Sequence, residues 1–248
     1  MLEALGAACH AGFEADVAPE LVLSLRRDPT FAGGPLLPEA RRAGPGVQEL
    51  GYYGWRATWD EVAGTIDGRL ASPSPPMLDR KRVESLTRSV LGQRLLAVGG
   101  LSMHGAAMVR DGKGYLFVGP RGAGKTTVVR RWPGERVLGD DHAIVVREGA
   151  SWRLYGTPYT GREKTPCVAG DAPLAAILLL GKSSETRSRG ATAAEAFRAL
   201  VQQVIHIGRE PDDTRRVVSL LEALVQSVPI SRLEVSLSHP LWPAVLAA

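Results

Sequence analysis

The chain has 248 residues, 44% of them hydrophobic and 23% charged, with a formal net charge of +4. That apolar fraction excludes a disordered chain, and a chain of this length can bury enough surface to fold without disulfides or a structural metal. Cys9 and Cys167 are its only cysteines, too few for a disulfide framework or a zinc site, and the longest apolar run, 174–180, is too short to span a bilayer. Met1, Leu2 and Glu3 open the sequence without a basic segment leading into an apolar one. The expectation is therefore a cytoplasmic protein with no membrane partner. The basic residues are scattered rather than gathered in blocks, which points away from nucleic acid and toward an anionic or phosphate-rich ligand.

Residues 1–78 read as a β-rich accessory module. The apolar alternation of 21–25 predicts a strand, and the Gly- and Pro-rich stretch 29–46 a loop. Residues 50–59, with Tyr53, Trp55 and Ala57 on one face, and 62–70 predict the arms of a hairpin or meander. Ser72, Pro73, Ser74, Pro75 and Pro76 break regular structure and mark a linker. From Asp79 the period turns helical: Val83, Leu86, Val90, Leu91 and Leu95 share one face, and Gly99-Gly100 ends the run. Residues 79–248 are taken as the second domain.

A strand over 103–109, a turn at Asp111-Gly112 and a strand over 115–118 predict a hairpin feeding a glycine-rich loop. A helix of about two turns follows from Gly124 and stops before Pro133. Further strands are expected at 136–138, 143–146, 152–155 and 174–180, the last unbroken and apolar as in a strand covered on both faces. Thr192 and Glu195 form a capping box ahead of an apolar stripe made by Phe197, Leu200, Val201, Val204 and Ile205. A second helix over 212–226 and a strand over 230–235 complete the chain.

Gly119, Pro120, Arg121, Gly122, Ala123, Gly124, Lys125 and Thr126 fit G-x-x-x-x-G-K-[ST], the Walker A pattern, in its required strand-to-helix context. Such glycines let backbone N–H groups surround phosphate oxygens. Lys125, expected as an exposed loop charge, would meet the β- and γ-phosphates. Thr126 would ligate Mg²⁺, and Thr127 completes the nucleotide-binding set. Asp140 and Asp141 follow at the end of a short strand. Of two carboxylates beside a phosphate site, Asp140 can hold the metal and Asp141 can accept a proton from an attacking hydroxyl. His104, on the strand paired with the one entering the loop, can reach the same place, while His142 is expected to turn away from at least one Asp. Arg162 and Lys164, in the loop over 156–164, could stabilise a phosphoryl group in transfer or bind substrate.

Taken in order, His104-Gly105, the Gly-x-x-Gly-x-Gly-Lys-Thr loop and Gly139-Asp140-Asp141-His142 resemble the HPr kinase/phosphorylase family. They also resemble its fold relative, ATP-dependent phosphoenolpyruvate carboxykinase. The layout, including Tyr155-Gly156-Thr157-Pro158, is most similar to small HPr-kinase-like proteins of biosynthetic gene clusters. The likeness runs from about Asp79 to the C-terminus. It implies an α/β fold in which a mixed-sheet P-loop kinase core follows the N-terminal β module. It further implies that His104 and one Asp flank the reacting hydroxyl.

Two departures narrow what is carried over. Arg121 stands where the HPr kinase loop usually has serine, and no segment resembles the loop used for dephosphorylation. The reading is a kinase dependent on Mg²⁺ and ATP or GTP, transferring the γ-phosphoryl group to a hydroxyl, serine-like, of a peptide or protein. The alternative is a nucleotide-binding regulatory or scaffolding module without transfer activity. An ordinary GTPase is disfavoured, because no Asn-Lys-x-Asp motif follows. The oligomeric state is left open, a homo-oligomer included.

Overall fold

Alternation of apolar and polar side chains builds the first sheet. Strands β1 (Val22–Asp28), β2 (Glu39–Gly44), β3 (Val47–Tyr52), β4 (Trp55–Asp60) and β5 (Thr65–Ala71) lie in the order β1-β5-β4-β3-β2. β1 runs parallel to β5 and the other neighbours are antiparallel. In β4 Trp55, Ala57 and Trp59 are buried, while Arg56 and Thr58 are exposed, the two-residue period of a sheet with one covered face. Helix α1 (Pro76–Ala97) supplies Leu86 and Val90 to that covered face. The computed structural model describes residues 22–31, 33, 39–72, 76–132, 134, 136–161, 165–205, 210–236, 241 and 245.

The chain divides into two compact units. The first contains this sheet and α1 as far as Arg94. The second carries strands β6 (Gly100–Met103), β7 (Gly105–Arg110), β8 (Lys113–Val118), β9 (Arg136–Gly139), β10 (Ala143–Glu148), β11 (Ser151–Tyr155), β12 (Asp171–Lys182), β13 (Arg187–Gly190) and β14 (Ile230–Val235). Its helices are α2 (Lys125–Arg130), α3 (Ala193–Val201) and, from Val217 onward, α4 (Pro211–Ser227). The sheet runs β6-β10-β11-β12-β8-β7-β9, and β14 adds to β12 and β13.

Within that sheet β8, β12 and β14 are mutually parallel. Both faces of this trio are covered. Leu116, Val118, Ile177 and Leu179 pack with Leu200 of α3 and Leu221 and Leu224 of α4. Phe117, Leu178 and Leu180 pack with Val128 and Val129 of α2 on the other side. The chain is thus an α/β protein with two mixed sheets, mostly strand.

Several sequence expectations change. The loop read over 29–46 contains β2, whose Glu-Ala-Arg-Arg composition hides a charged edge strand. Residues 50–59 are two strands, not one. Gly54, at φ 81°, turns the chain between them and leaves Tyr53 exposed. The strand read over 103–109 breaks at His104, because β6 pairs with β10 while β7 pairs with β8 and β9. Helix α3 ends at Val201, and Val204 bridges to Met103 instead of extending the stripe. The hairpin at Asp111-Gly112 forms as read, with both residues at positive φ (51° and 68°) as a two-residue I′ turn requires.

Candidate functional site

The glycine-rich loop leaves β8 at Val118 and enters α2 at Lys125. Gly124 occupies the cap position before α2 at φ 111°, a left-handed conformation that favours glycine. Gly122 is likewise at φ 82°, and neither position has a neighbour that a Cβ would strike. Backbone freedom, not packing, is therefore what glycine supplies there. Gly119 is different: a Cβ would come within 2.9 Å of Ala123.

Lys125 does not stand out as an exposed charge. It is 9% exposed, and its Nζ donates to the carbonyl oxygens of Gly119 at 2.7 Å and Pro120 at 3.5 Å. Burial pushes its pKa below the ordinary lysine value, and the negative charge of Asp141 partly offsets that. Thr126 and Thr127 are half-buried in the first turn of α2, Ala123 is buried, and Arg121 is exposed.

The two carboxylates, adjacent in sequence, have different surroundings. Asp140 is 5% exposed, and its Oδ1 accepts the backbone N–H of Gly161 at 2.8 Å. The Asp141 side chain is more open, with Oδ1 3.4 Å from His104 Nδ1. His104 Nδ1 also lies 2.9 Å from the Asp141 carbonyl oxygen. A carbonyl can only accept, so Nδ1 carries a proton and donates it there. The main chain ties these two segments together and adds a third at Gln203. Gly105 N–H donates to the Asp141 carbonyl at 3.2 Å, and His104 N–H donates to that of Gln203 at 2.7 Å.

His142 is fully buried. Its Nε2 lies 2.6 Å from Ser102 Oγ, and its Nδ1 3.2 Å from Thr157 Oγ1. The Thr157 hydroxyl donates its single proton to the His142 carbonyl at 2.9 Å, so Nδ1–H donates to Thr157 Oγ1. Tyr159 packs edge-on, with ring centroids 5.1 Å apart. His142 thus anchors the segment behind the Asp pair. Gly139 lets it approach: a Cβ there would lie 2.5 Å from the His142 carbonyl.

The structure brings Asp141 beside His104 and within reach of the Lys125 charge, and turns Asp140 toward Gly161. Arg162 and Lys164 lie outside the described residues. Sequence reading missed the roles of Ser102 and Gly161. Gly161 acts through its main chain, which carries no residue signal, and Ser102 is one polar residue in an otherwise apolar strand. Thr157 stood within the Tyr-Gly-Thr-Pro motif and could have been found there. Cys167, half-buried nearby, is pushed up to about 11, first by burial and then by the charge of Asp140, which makes it a poor nucleophile at neutral pH.

The oxygen donors toward the loop are the Thr126 hydroxyl and the Asp141 carboxylate, with Asp140 next to it in sequence. Among the described residues no group of three or more His, Cys, Asp or Glu side chains could enclose a metal. That donor set fits Mg²⁺, which is held by one or two carboxylates plus phosphate and water rather than by a protein cage. Among the described residues no helix is long and apolar enough to cross a membrane.

No protein of curated function matches this chain. Among solved structures the chain is similar to the Hpr(Ser) kinase/phosphatase from Coxiella burnetii, with 14% identity and a TM-score of 0.26 over 50% of this chain and 88% of that one. The family profile described as SynChlorMet cassette protein ScmC matches residues 82–246, a span that takes in the loop, the Asp pair and the parallel strands. On that match the chain belongs to the ScmC family.

Proposed function

We propose that this protein is a nucleotide-dependent kinase that transfers the γ-phosphoryl group of ATP or GTP to a hydroxyl of a peptide or protein. The observation carrying this reading is the convergence of a half-satisfied buried cation, Lys125, with the Asp141–His104 pair beside a glycine-rich loop. A buried ammonium that donates only to loop carbonyls is ready to exchange them for phosphate oxygens, which carry full charge.

In this reading the backbone N–H groups of 119–126 bind the phosphates and Lys125 neutralises them. Asp141 accepts the proton of the attacking hydroxyl. His104 holds the Asp141 main chain in place, so it is a positioning residue. Thr126 and one Asp would hold Mg²⁺, which when bound neutralises charge developing on the phosphoryl oxygens. The Asp140 carboxylate already accepts Gly161 N–H, leaving its second oxygen for that use. The resemblance of the ordered motifs to HPr kinase supports phosphoryl transfer. A cytoplasmic location, where ATP and GTP are at hand, goes with this reading.

A second reading, a nucleotide-binding regulatory module, draws on Arg121 at a loop position where the resembling kinases have serine. One assay separates the two: transfer of labelled γ-phosphate to acceptor peptides, run beside nucleotide titration. Asp141→Asn keeps size and hydrogen bonding, so nucleotide binding is retained, while transfer falls by about 10²–10⁴. Full transfer by the variant moves the base to another residue. Tight nucleotide binding without transfer by the wild type favours the regulatory module.

A further inference from the structure

Beside the loop, the carboxyl ends of the parallel strands open into a cleft of about 300 Å³. Crevices at the carboxyl ends of parallel strands, where the connections leave to opposite faces, are where open α/β sheets bind ligands. Here α2 follows β8 on one face, while α3 and α4 follow β12 on the other. Gly119 and Pro120 belong both to the loop and to the cleft.

Strand register separates this cleft from the Asp141–His104 pair. Val118, the last residue before the loop, pairs on one side with Gly105, next to His104. On its other side it pairs with Leu179, which lines the cleft. A ligand whose phosphates lie on the loop, with its reacting end at Asp141, thus has the cleft at Leu179 on the side of Gly119 away from that end.

The chemistry of the cleft suits a flat, hydrogen-bonding ring rather than another phosphate chain. Leu179, Leu180 and Ala199 give it apolar walls, and Gln202 offers a carboxamide that both donates and accepts. Arg198 of α3 and Arg232 of β14 add two guanidinium planes, which stack on aromatic rings and bind anions. Arg198 makes no ion pair among the described residues. The Arg232 Nε stands 3.5 Å from Glu234 Oε1, while Arg187 holds the other Glu234 oxygen at 2.7 Å. The remaining carboxylate, Glu195, is committed to Arg189 and to the Thr192 N–H.

We propose that this cleft holds the nucleoside half of the nucleotide, with the base between the apolar wall and the guanidinium planes and Gln202 at its edge. The proposal rests on the nucleotide-binding reading above, and the probes are chosen to separate the two. Inorganic tripolyphosphate reads the loop alone, whereas ATP and GTP read loop and cleft together. Arg198→Ala removes an exposed side chain, and Ala199→Phe fills the cleft; circular dichroism checks that both fold. Calorimetry with Mg²⁺ should show the affinity of at least one of ATP and GTP falling about tenfold or more in both variants. Tripolyphosphate affinity should stay within about twofold of wild type. Unchanged nucleotide affinity in both variants overturns the proposal while leaving the loop reading intact. Equal losses for nucleotide and tripolyphosphate also overturn it, because the variants would then act on the loop. A wild type that binds neither probe overturns the nucleotide-binding reading, and this proposal with it.

Discussion

The two sheets of this chain meet the same requirement, burial of apolar area, in different ways. The first covers one face, with Trp55 and Trp59 set against α1, and leaves the other face to Arg26, Arg56, Asp67 and Arg69. The second covers both faces of its parallel trio, with α2 on one side and α3 and α4 on the other. Parallel strands cannot be joined by tight turns, so helices must cross over and shield them. In the first sheet the antiparallel neighbours β2 to β5 are joined by short turns such as Tyr53-Gly54. The second ends in a longer glycine-rich loop at the carboxyl end of β8. Candidate chemistry gathers at the second because the backbone there leaves a covered sheet with its N–H groups still to be satisfied.

The largest effect that sharpens this contrast belongs to the first sheet. Trp55 is fully buried in the smaller core, so Trp55→Ala should cost about 3–5 kcal/mol. Urea unfolding measures it, and a loss under about 1 kcal/mol would mean that this core does not depend on its tryptophans.

Lys125→Met should act in the opposite sense, on ligand rather than on fold. It keeps length and removes charge, so nucleotide affinity should fall about a hundredfold, or about 2.7 kcal/mol. The variant also tests the buried charge by pH. Burial lowers the Lys125 pKa in the folded protein, so the unfolded chain holds more protons between that lowered value and the ordinary lysine value. Wild-type stability should therefore gain a contribution as pH rises through that window, and Lys125→Met should lack it. Parallel pH profiles for the two proteins would contradict the burial of Lys125.

The smallest effect concerns α3, which walls the second sheet. The Thr192 hydroxyl accepts Glu195 N–H at 3.2 Å, and Glu195 returns a bond to Thr192 N–H at 3.0 Å. Thr192→Ala should cost about 1 kcal/mol by thermal unfolding. Arg189, followed by the Thr192 N–H, pulls the Glu195 carboxyl down to about 2 from its ordinary 4.5. The support from Glu195 is present above that ordinary value and fades as pH falls toward about 2. An unchanged melting temperature for Thr192→Ala would show that α3 is held by its apolar face alone.

Much of the second unit was legible because its signals are local. The Asp111-Gly112 turn, the Thr192 and Glu195 cap and the glycine spacing of 119–124 each follow from the conformational preferences of a few adjacent residues. β2 escaped notice because an edge strand needs no apolar face, and Glu39, Arg41 and Arg42 carry no strand signal of their own.

Tertiary structure decided what alternation alone could not. The strand read through His104 is broken because β6 and β7 have different partners, a choice made by sequence-distant strands. The identical side chains of Asp140 and Asp141 were divided by Gly161 N–H on one and His104 on the other. Lys125 became a buried cation because Gly119 and Pro120 turn their carbonyls onto it. His142 became an anchor because Ser102 and Thr157, forty and fifteen residues away, complete its hydrogen bonds. Local sequence specifies turns, caps and the loop because those depend on torsions within a few residues. The partners of a buried polar group depend on which distant segments the fold brings within about 3 Å.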